Sequence, residues 1–270
     1  MLNWVDGIPA DALSVKDRGL AYGDGLFETI AVRSGRAPLL SRHLHRLSDG
    51  CQRLGISCDL AMLDAELQRF AAAVGDGVAK FIVTRGDGQR GYAPTTTEQP
   101  RRLLQSSAFP TYPPEHAAQG VRLFPCQTRL AEQPLLAGMK HLNRLEQVLA
   151  RAEWQDAEHG EGLMRDTSGR VIEGVFSNLF LVKDGVLLTA DLSRCGVAGV
   201  MRAELLERAV SRSISCQVRD IEYAELLAAD ELFLCNSLFG IWPVRALASR
   251  DWPVGPLTRK LQGIIRDLGY

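Results

Sequence analysis

Over the first 35 residues, short apolar runs are broken by turn residues. Gly23-Asp24-Gly25 then opens residues 26–32, where apolar and polar side chains alternate as on a half-buried strand. Ser34-Gly35 ends that run as a turn. From residue 39 to residue 54 the period lengthens to that of a helix, with Leu40, Leu44, Leu47 and Leu54 on one side and Arg42, Arg46 and Arg53 among the rest. A second helix is predicted at 60–74 from Leu63, Leu67 and Phe70, and two strands follow at 79–84 and 102–108.

Prolines gather at 110–114, ahead of Gly120, and mark a linker. Beyond it the pattern predicts strands at 121–126, 162–165, 179–182, 186–188 and 231–235. Helices are predicted at 141–158, 200–211 and 224–228, with a last one near 257–268. Strands and helices mix without a regular βαβ rhythm. The expected fold class is therefore α+β in two domains, 1–112 and 121–270, joined by a linker at 113–120. Neither half has GxGxxG or a Walker loop at a strand-to-helix junction, which argues against nucleotide binding by those devices.

Hydrophobic residues at 46% and charged residues at 23% place the 270-residue chain among globular proteins large enough to need no metal or disulfide. Lys and Arg number 31 against 32 Asp and Glu, a formal charge of −1, so neither nucleic acid nor an anionic membrane is an expected partner. No run approaches the ~18 apolar residues of a spanning helix. Asp6 and Asp11 precede the first base, Lys16, unlike the plan of a signal peptide. The six cysteines are scattered, with no CxxC and no His at zinc spacing. The expectation is a cytoplasmic protein with reduced thiols and no metal site.

The five lysines are the informative minority. Lys183 lies in a Lys-Asp-Gly turn, Lys260 on the polar face of the last helix, Lys16 beside a loop aspartate, and Lys80 at the start of a strand. Lys140 differs, because it stands between an apolar stretch, 135–139, and a predicted helix. Partial desolvation there would make it an amine nucleophile or base, although the local pattern alone favours a solvated or snorkelling side chain. Glu173 is a lone carboxylate in a mostly apolar stretch, 171–180; it reads as an edge-facing glutamate or as the partner of a buried cation or protonated heterocycle. Gly196 and Gly199 precede Val200 and Met201 at a helix entry, where backbone N–H groups could converge on an anion or simply form a tight turn. Asn236-Ser237 at a strand end adds further donors, and Arg46 sits on an otherwise surface-like helix.

Taken together, an amine, a later carboxylate, a glycine-rich helix entry and an upstream arginine suit pyridoxal 5′-phosphate (PLP). Their order and wording resemble the fold type IV PLP enzymes, which include branched-chain and D-amino-acid aminotransferases and aminodeoxychorismate lyases. The likeness runs from Asp17-Arg18-Gly19-Leu20-Ala21-Tyr22-Gly23-Asp24-Gly25 through His43-Leu44-His45-Arg46-Leu47 to Asn236-Ser237 and Pro243-Val244. Lys140-His141-Leu142-Asn143-Arg144-Leu145-Glu146-Gln147-Val148 and Arg85-Gly86-Asp87-Gly88-Gln89-Arg90-Gly91-Tyr92 most resemble the lyase branch. Leu145 stands where branched-chain aminotransferases place a tyrosine. Arg90-Gly91-Tyr92 stands where D-amino-acid aminotransferases have Arg-x-His.

The resemblance implies a two-domain fold with the cofactor between the domains. Lys140 would be the Schiff-base lysine and catalytic base, and Glu173 the partner of the pyridine nitrogen. Arg46, the backbone N–H groups around Val200 and Met201, and Ser237 would hold the phosphate. Arg90 and Tyr92 would serve the substrate, in a homodimer where they can belong to the neighbour's site. The implied reaction is the PLP-dependent lyase conversion of 4-amino-4-deoxychorismate to 4-aminobenzoate and pyruvate, in folate biosynthesis. The alternative is a D-amino-acid or branched-chain aminotransferase on the same fold.

Overall fold

The computed structural model describes residues 1–94 and 99–270. These residues group into two compact units, Met1–Pro110 with Met139–Asn143, and Thr111–Gly138 with Arg144–Tyr270.

The first unit runs β1 (Asn3–Val5), β2 (Ile8–Pro9), α1 (Arg18–Tyr22), β3 (Gly25–Val32), α2 (Leu40–Leu54), α3 (Leu60–Val74), β4 (Gly77–Thr84) and β5 (Arg101–Ser107). Its sheet has the order β2-β1-β5-β4-β3, antiparallel throughout. Local chemistry sets the helix ends. The Asp59 side chain accepts hydrogen bonds from the Ala61 and Met62 amides at the start of α3, and Gly55, with φ 65°, closes α2 in the left-handed conformation. Leu63, Leu67 and Phe70 turn inward from α3 to join Ile30, Phe81 and Leu104 of the sheet in the core. On α2 the buried face is His43, Leu47, Gly50 and Cys51, so only one leucine of the predicted stripe is fully buried.

The second unit comprises α4 (Glu115–Gln119), β6 (Val121–Leu130), α5 (Leu145–Ala152), β7 (His159–Asp166), β8 (Val171–Gly174), β9 (Asn178–Lys183) and β10 (Val186–Ala190). It continues with α6 (Val200–Val210), β11 (Cys216–Arg219), α7 (Tyr223–Leu227), β12 (Glu231–Asn236), β13 (Gly240–Leu247), β14 (Arg250–Asp251) and α8 (Pro256–Ile264). The sheet order is β11-β10-β9-β12-β13-β6-β7-β8, with β14 on β13 and a further pairing of β8 with β9. That last pairing turns β9-β12-β13-β6-β7-β8 into a closed ring, and its register places Glu173 opposite Asn178. Parallel pairs (β6 with β7 and with β13, and β10 with β11) are mixed with antiparallel ones, and the α+β expectation holds. Leu123, Leu163 and Leu181 belong to one core cluster, and on the other face of β9 and β12 the buried rings of Phe180 and Phe233 stack on each other.

The predicted helix at 141–158 is shorter in the structure, beginning at Leu145 and ending at Ala152. The residues before it are engaged elsewhere: Phe27 N–H donates to the Lys140 carbonyl at 2.9 Å and Leu142 N–H to the Gly25 carbonyl at 3.0 Å. Residues 139–143 therefore lie along β3, a long-range pairing that helical spacing could not reveal. Among the described residues no helix is long and apolar enough to cross a membrane.

Candidate active site

In the first unit the lysine singled out from the sequence is anchored through its backbone. With its carbonyl held by Phe27, the Lys140 side chain is half-buried, and Nζ stands 4.4 Å from the centroid of the Phe27 ring. The neighbouring strand residue, Glu28, faces the opposite side and is sealed in the core. Its Oε2 lies 2.6 Å from His43 Nδ1, Arg46 Nε donates to Oε1 at 2.8 Å, and Arg46 Nη2 pairs with Oε2. Burial pushes the Glu28 carboxyl up, but the Arg46 charge and His43 more than offset it and hold it at about 2. Burial also lowers the pKa of His43, a ring that senses the charges of Glu28, Arg46 and Lys140. Arg46 is thus no solvated surface arginine: an ionised carboxylate fixes its direction.

Arg90 and Tyr92 lie on an exposed segment fastened to the same unit by a buried cation. Arg18 Nη1 and Nη2 donate to the carbonyls of Gly91 and Tyr92 at 3.0 and 2.9 Å, and Arg18 Nε donates to Asp24 Oδ2 at 2.9 Å. Gly91 N–H donates to the Tyr22 hydroxyl at 3.3 Å, and the Tyr22 and Tyr92 rings lie 5.4 Å apart. Tyr92 itself is 85% exposed.

In the second unit Glu173 is buried at the neck of the β8–β9 hairpin. Its Oε2 accepts a hydrogen bond from Val197 N–H at 2.9 Å and one from Asn178 Nδ2 at 3.4 Å. Asn178 also donates to the Val197 carbonyl at 2.8 Å and accepts from Gly199 N–H at 3.0 Å. The loop 196–199 is thereby clipped to the hairpin as it enters α6. A Cβ at Gly199 would stand 2.0 Å from Asn178 Oδ1, and at Gly196, with φ +84°, 3.4 Å from Glu173 Oε2 and 2.8 Å from Leu192. Only glycine allows so close an approach. Gly199 gives α6 no side-chain cap, so no capping side chain takes up the first-turn amides of Val200 and Met201, and a helix start of that kind can receive an anion. Ser237 follows β12, with its carbonyl accepting from the Tyr270 hydroxyl at 2.7 Å.

The candidate residues therefore fall into local groups. Glu173, Val200 and Met201 are tied together by the 196–199 loop, with Ser237 in the same unit after β12. Lys140 and Arg46 flank β3 in the other unit, with Arg90 and Tyr92 on the segment held by Arg18. Sequence reasoning passed over Glu28, His43 and Asn178. A carboxylate inside the 26–32 strand was the available signal for Glu28; Asn178 had none beyond lying five residues after Glu173. Chemically, one group offers an amine and a fixed cation, and the other a buried carboxylate beside an anion-receptive helix start.

A model of the amino-transferase class IV family matches residues 25–247. The chain is 40% identical to an aminodeoxychorismate lyase of Vibrio harveyi, the match covering 96% of this chain and 98% of the relative. It is 28% identical to a D-alanine aminotransferase of Bacillus licheniformis, covering 95% and 91% of the two. Among solved structures, the crystal structure of 4-amino-4-deoxychorismate lyase from Pseudomonas aeruginosa is similar with a TM-score of 0.97 and 68% identity, covering 98% of each chain. By the family match and the whole-length likeness to the Vibrio relative, the chain belongs to the amino-transferase class IV family.

Proposed function

We propose that the protein is a PLP-dependent lyase that converts 4-amino-4-deoxychorismate to 4-aminobenzoate and pyruvate. The observation that carries this reading is the likeness, over nearly the full length, to the Vibrio and Pseudomonas lyases. The donor set fits the cofactor: a lysine amine, a buried carboxylate, and a capless helix start whose glycine cradle a Cβ would fill. Lys140 would hold the cofactor through Nζ, and Glu173 through its ring nitrogen. Arg46, the amides of Val200 and Met201, and Ser237 would hold its phosphate. When bound, PLP supplies an electron sink for the pair left by a broken C–H bond.

The chain's own residues then have distinct tasks. Lys140 Nζ, as a free amine, takes the proton from the substrate carbon that bears the amino group. Glu173, its Oε2 held by Val197 N–H, would keep a proton on the heterocycle nitrogen. Arg90 offers a guanidinium to a substrate carboxylate, with Tyr92 beside it. Loss of the enolpyruvyl group as pyruvate leaves an aromatic ring, and the atoms balance without water or a keto acid. A homodimer completes the reading: α5 exposes Leu145, Val148 and Leu149, an apolar face suited to a partner subunit. The site of action is the cytoplasm, where folate precursors are made.

Lys140→Ala tests the assignment. It should abolish the visible absorption of bound PLP and lower turnover by at least ~10²-fold, the lower end for a positioned base. Retention of both absorption and turnover would remove Lys140 from the site.

A further inference from the structure

Glu161 is a carboxylate for which the chemistry above has no use. It lies on β7 with no exposed surface, and no salt bridge to it occurs among the described residues. Neutral donors surround it instead. Oε1 accepts from Gly162 N–H at 2.8 Å and Val175 N–H at 3.2 Å, and Oε2 accepts from Phe176 N–H at 3.1 Å and the Ser177 hydroxyl at 2.7 Å. Three of those four donors belong to Val175, Phe176 and Ser177, the whole connection between β8 and β9. Gly174 lies against the same group: a Cβ there would be 2.9 Å from Glu161 Oε2 and 2.3 Å from Ser177 Oγ. The connection is therefore wrapped around the carboxylate.

We infer that Glu161 is a positioning residue, which acts through the 175–177 connection to set Glu173 and Asn178 and, through Asn178, the 196–199 loop. Glu173 and Asn178 are the residues on either side of the hairpin's end and form its closing register pair. A shift of the connection moves both. Asn178 passes that shift to Val197 and Gly199, and so to the amides that open α6. One buried group thus orients the ring-nitrogen carboxylate and the phosphate-facing backbone at once. A carboxyl group suits the task in either protonation state: ionised, each oxygen accepts two hydrogen bonds, and protonated, Oε2 can donate to the Ser177 hydroxyl and still accept from Phe176 N–H, which a glutamine NH2 cannot. Whichever way a glutamine amide turns, its NH2 faces a backbone N–H.

The inference rests on the assignment of Glu173 to the cofactor ring, and a double-mutant cycle separates the two. Wild type, Glu161→Gln, Glu173→Gln and the double variant are compared for kcat on aminodeoxychorismate and, as apo proteins, for PLP affinity by visible absorbance titration. Misplacing a catalytic group by a fraction of an ångström is costly, so Glu161→Gln should lower kcat about 10-fold and weaken PLP about 10-fold. In the Glu173→Gln background the further loss of kcat should be under about 2-fold, since coupled residues are non-additive. Equal losses in both backgrounds, or none in the wild-type background, would overturn the inference. If Glu173→Gln alone leaves kcat unchanged, the ring-nitrogen assignment fails, and PLP affinity decides for Glu161: unchanged binding in Glu161→Gln rejects it. Should Glu161→Gln not fold, Ser177→Ala removes one of the four donors. It is expected to cost about 3-fold in kcat with the same non-additivity, and additive behaviour rejects the proposal.

Discussion

Glu28 and Glu161 are two sealed carboxylates in two different units, and their surroundings drive them in opposite directions. Glu28 meets a guanidinium and an imidazole and is held at about 2. Glu161 meets three backbone N–H groups and a hydroxyl, and burial raises its carboxyl to about 7 despite those donors. The difference shows what a neighbouring full charge contributes: hydrogen bonds satisfy a buried carboxylate's lone pairs, but a cation keeps it ionised. Each solution matches the residue beside it. Glu28 fixes a cation, Arg46, whereas Glu161 gathers main-chain donors and so shapes a loop.

The largest break in that contrast comes from Glu28→Gln. The substitution keeps the shape of the side chain while removing the negative charge that Arg46 and His43 face. Loss of one partner from a buried pair typically costs about 3–5 kcal/mol, to be read as a drop in the urea midpoint of the apo protein. Glu161→Gln, which removes no ion pair, should cost less than Glu28→Gln; the reverse order would undo the contrast.

The pH dependence of stability sharpens it further. Glu28 has a folded-state pKa below the unfolded value of 4.5, so its contribution is present above pH 4.5 and is lost as pH falls towards 2. Glu161 has a raised pKa, so its contribution is present below pH 4.5 and is lost as pH rises through about 7. Either change is on the order of 3 kcal/mol over its window. Urea midpoints measured across pH should therefore lose a falling component between 4.5 and 7 in Glu161→Gln, and a rising component below 4.5 in Glu28→Gln. A Glu161→Gln profile parallel to wild type from 4.5 to 7 would contradict the account of Glu161.

The same two residues mark the limit of what the sequence discloses. Helix α3 is legible to its ends, because Leu63, Leu67 and Phe70 lie at helical spacing between Asp59 and Gly75. Glu173 stands out because a lone carboxylate among apolar residues needs a partner. Arg46, by contrast, has a surface-like local pattern, and its buried counter-ion lies 18 residues away on β3. Glu161 finds its partners in a turn 14 to 16 residues on. Lys140 was expected at the foot of a helix, yet its carbonyl is bound to β3. Local periodicity reports which face is apolar; it carries no record of which distant backbone completes a polar group's bonds.

The most direct test supplies the purified protein with freshly generated 4-amino-4-deoxychorismate and follows 4-aminobenzoate and pyruvate together. A parallel sample receives D-alanine or a branched-chain amino acid with a keto acid. A lyase yields the two products in equal amounts with no keto acid present. Transamination in the parallel sample, with no 4-aminobenzoate in the first, would contradict the lyase and place the protein with the aminotransferases of its family.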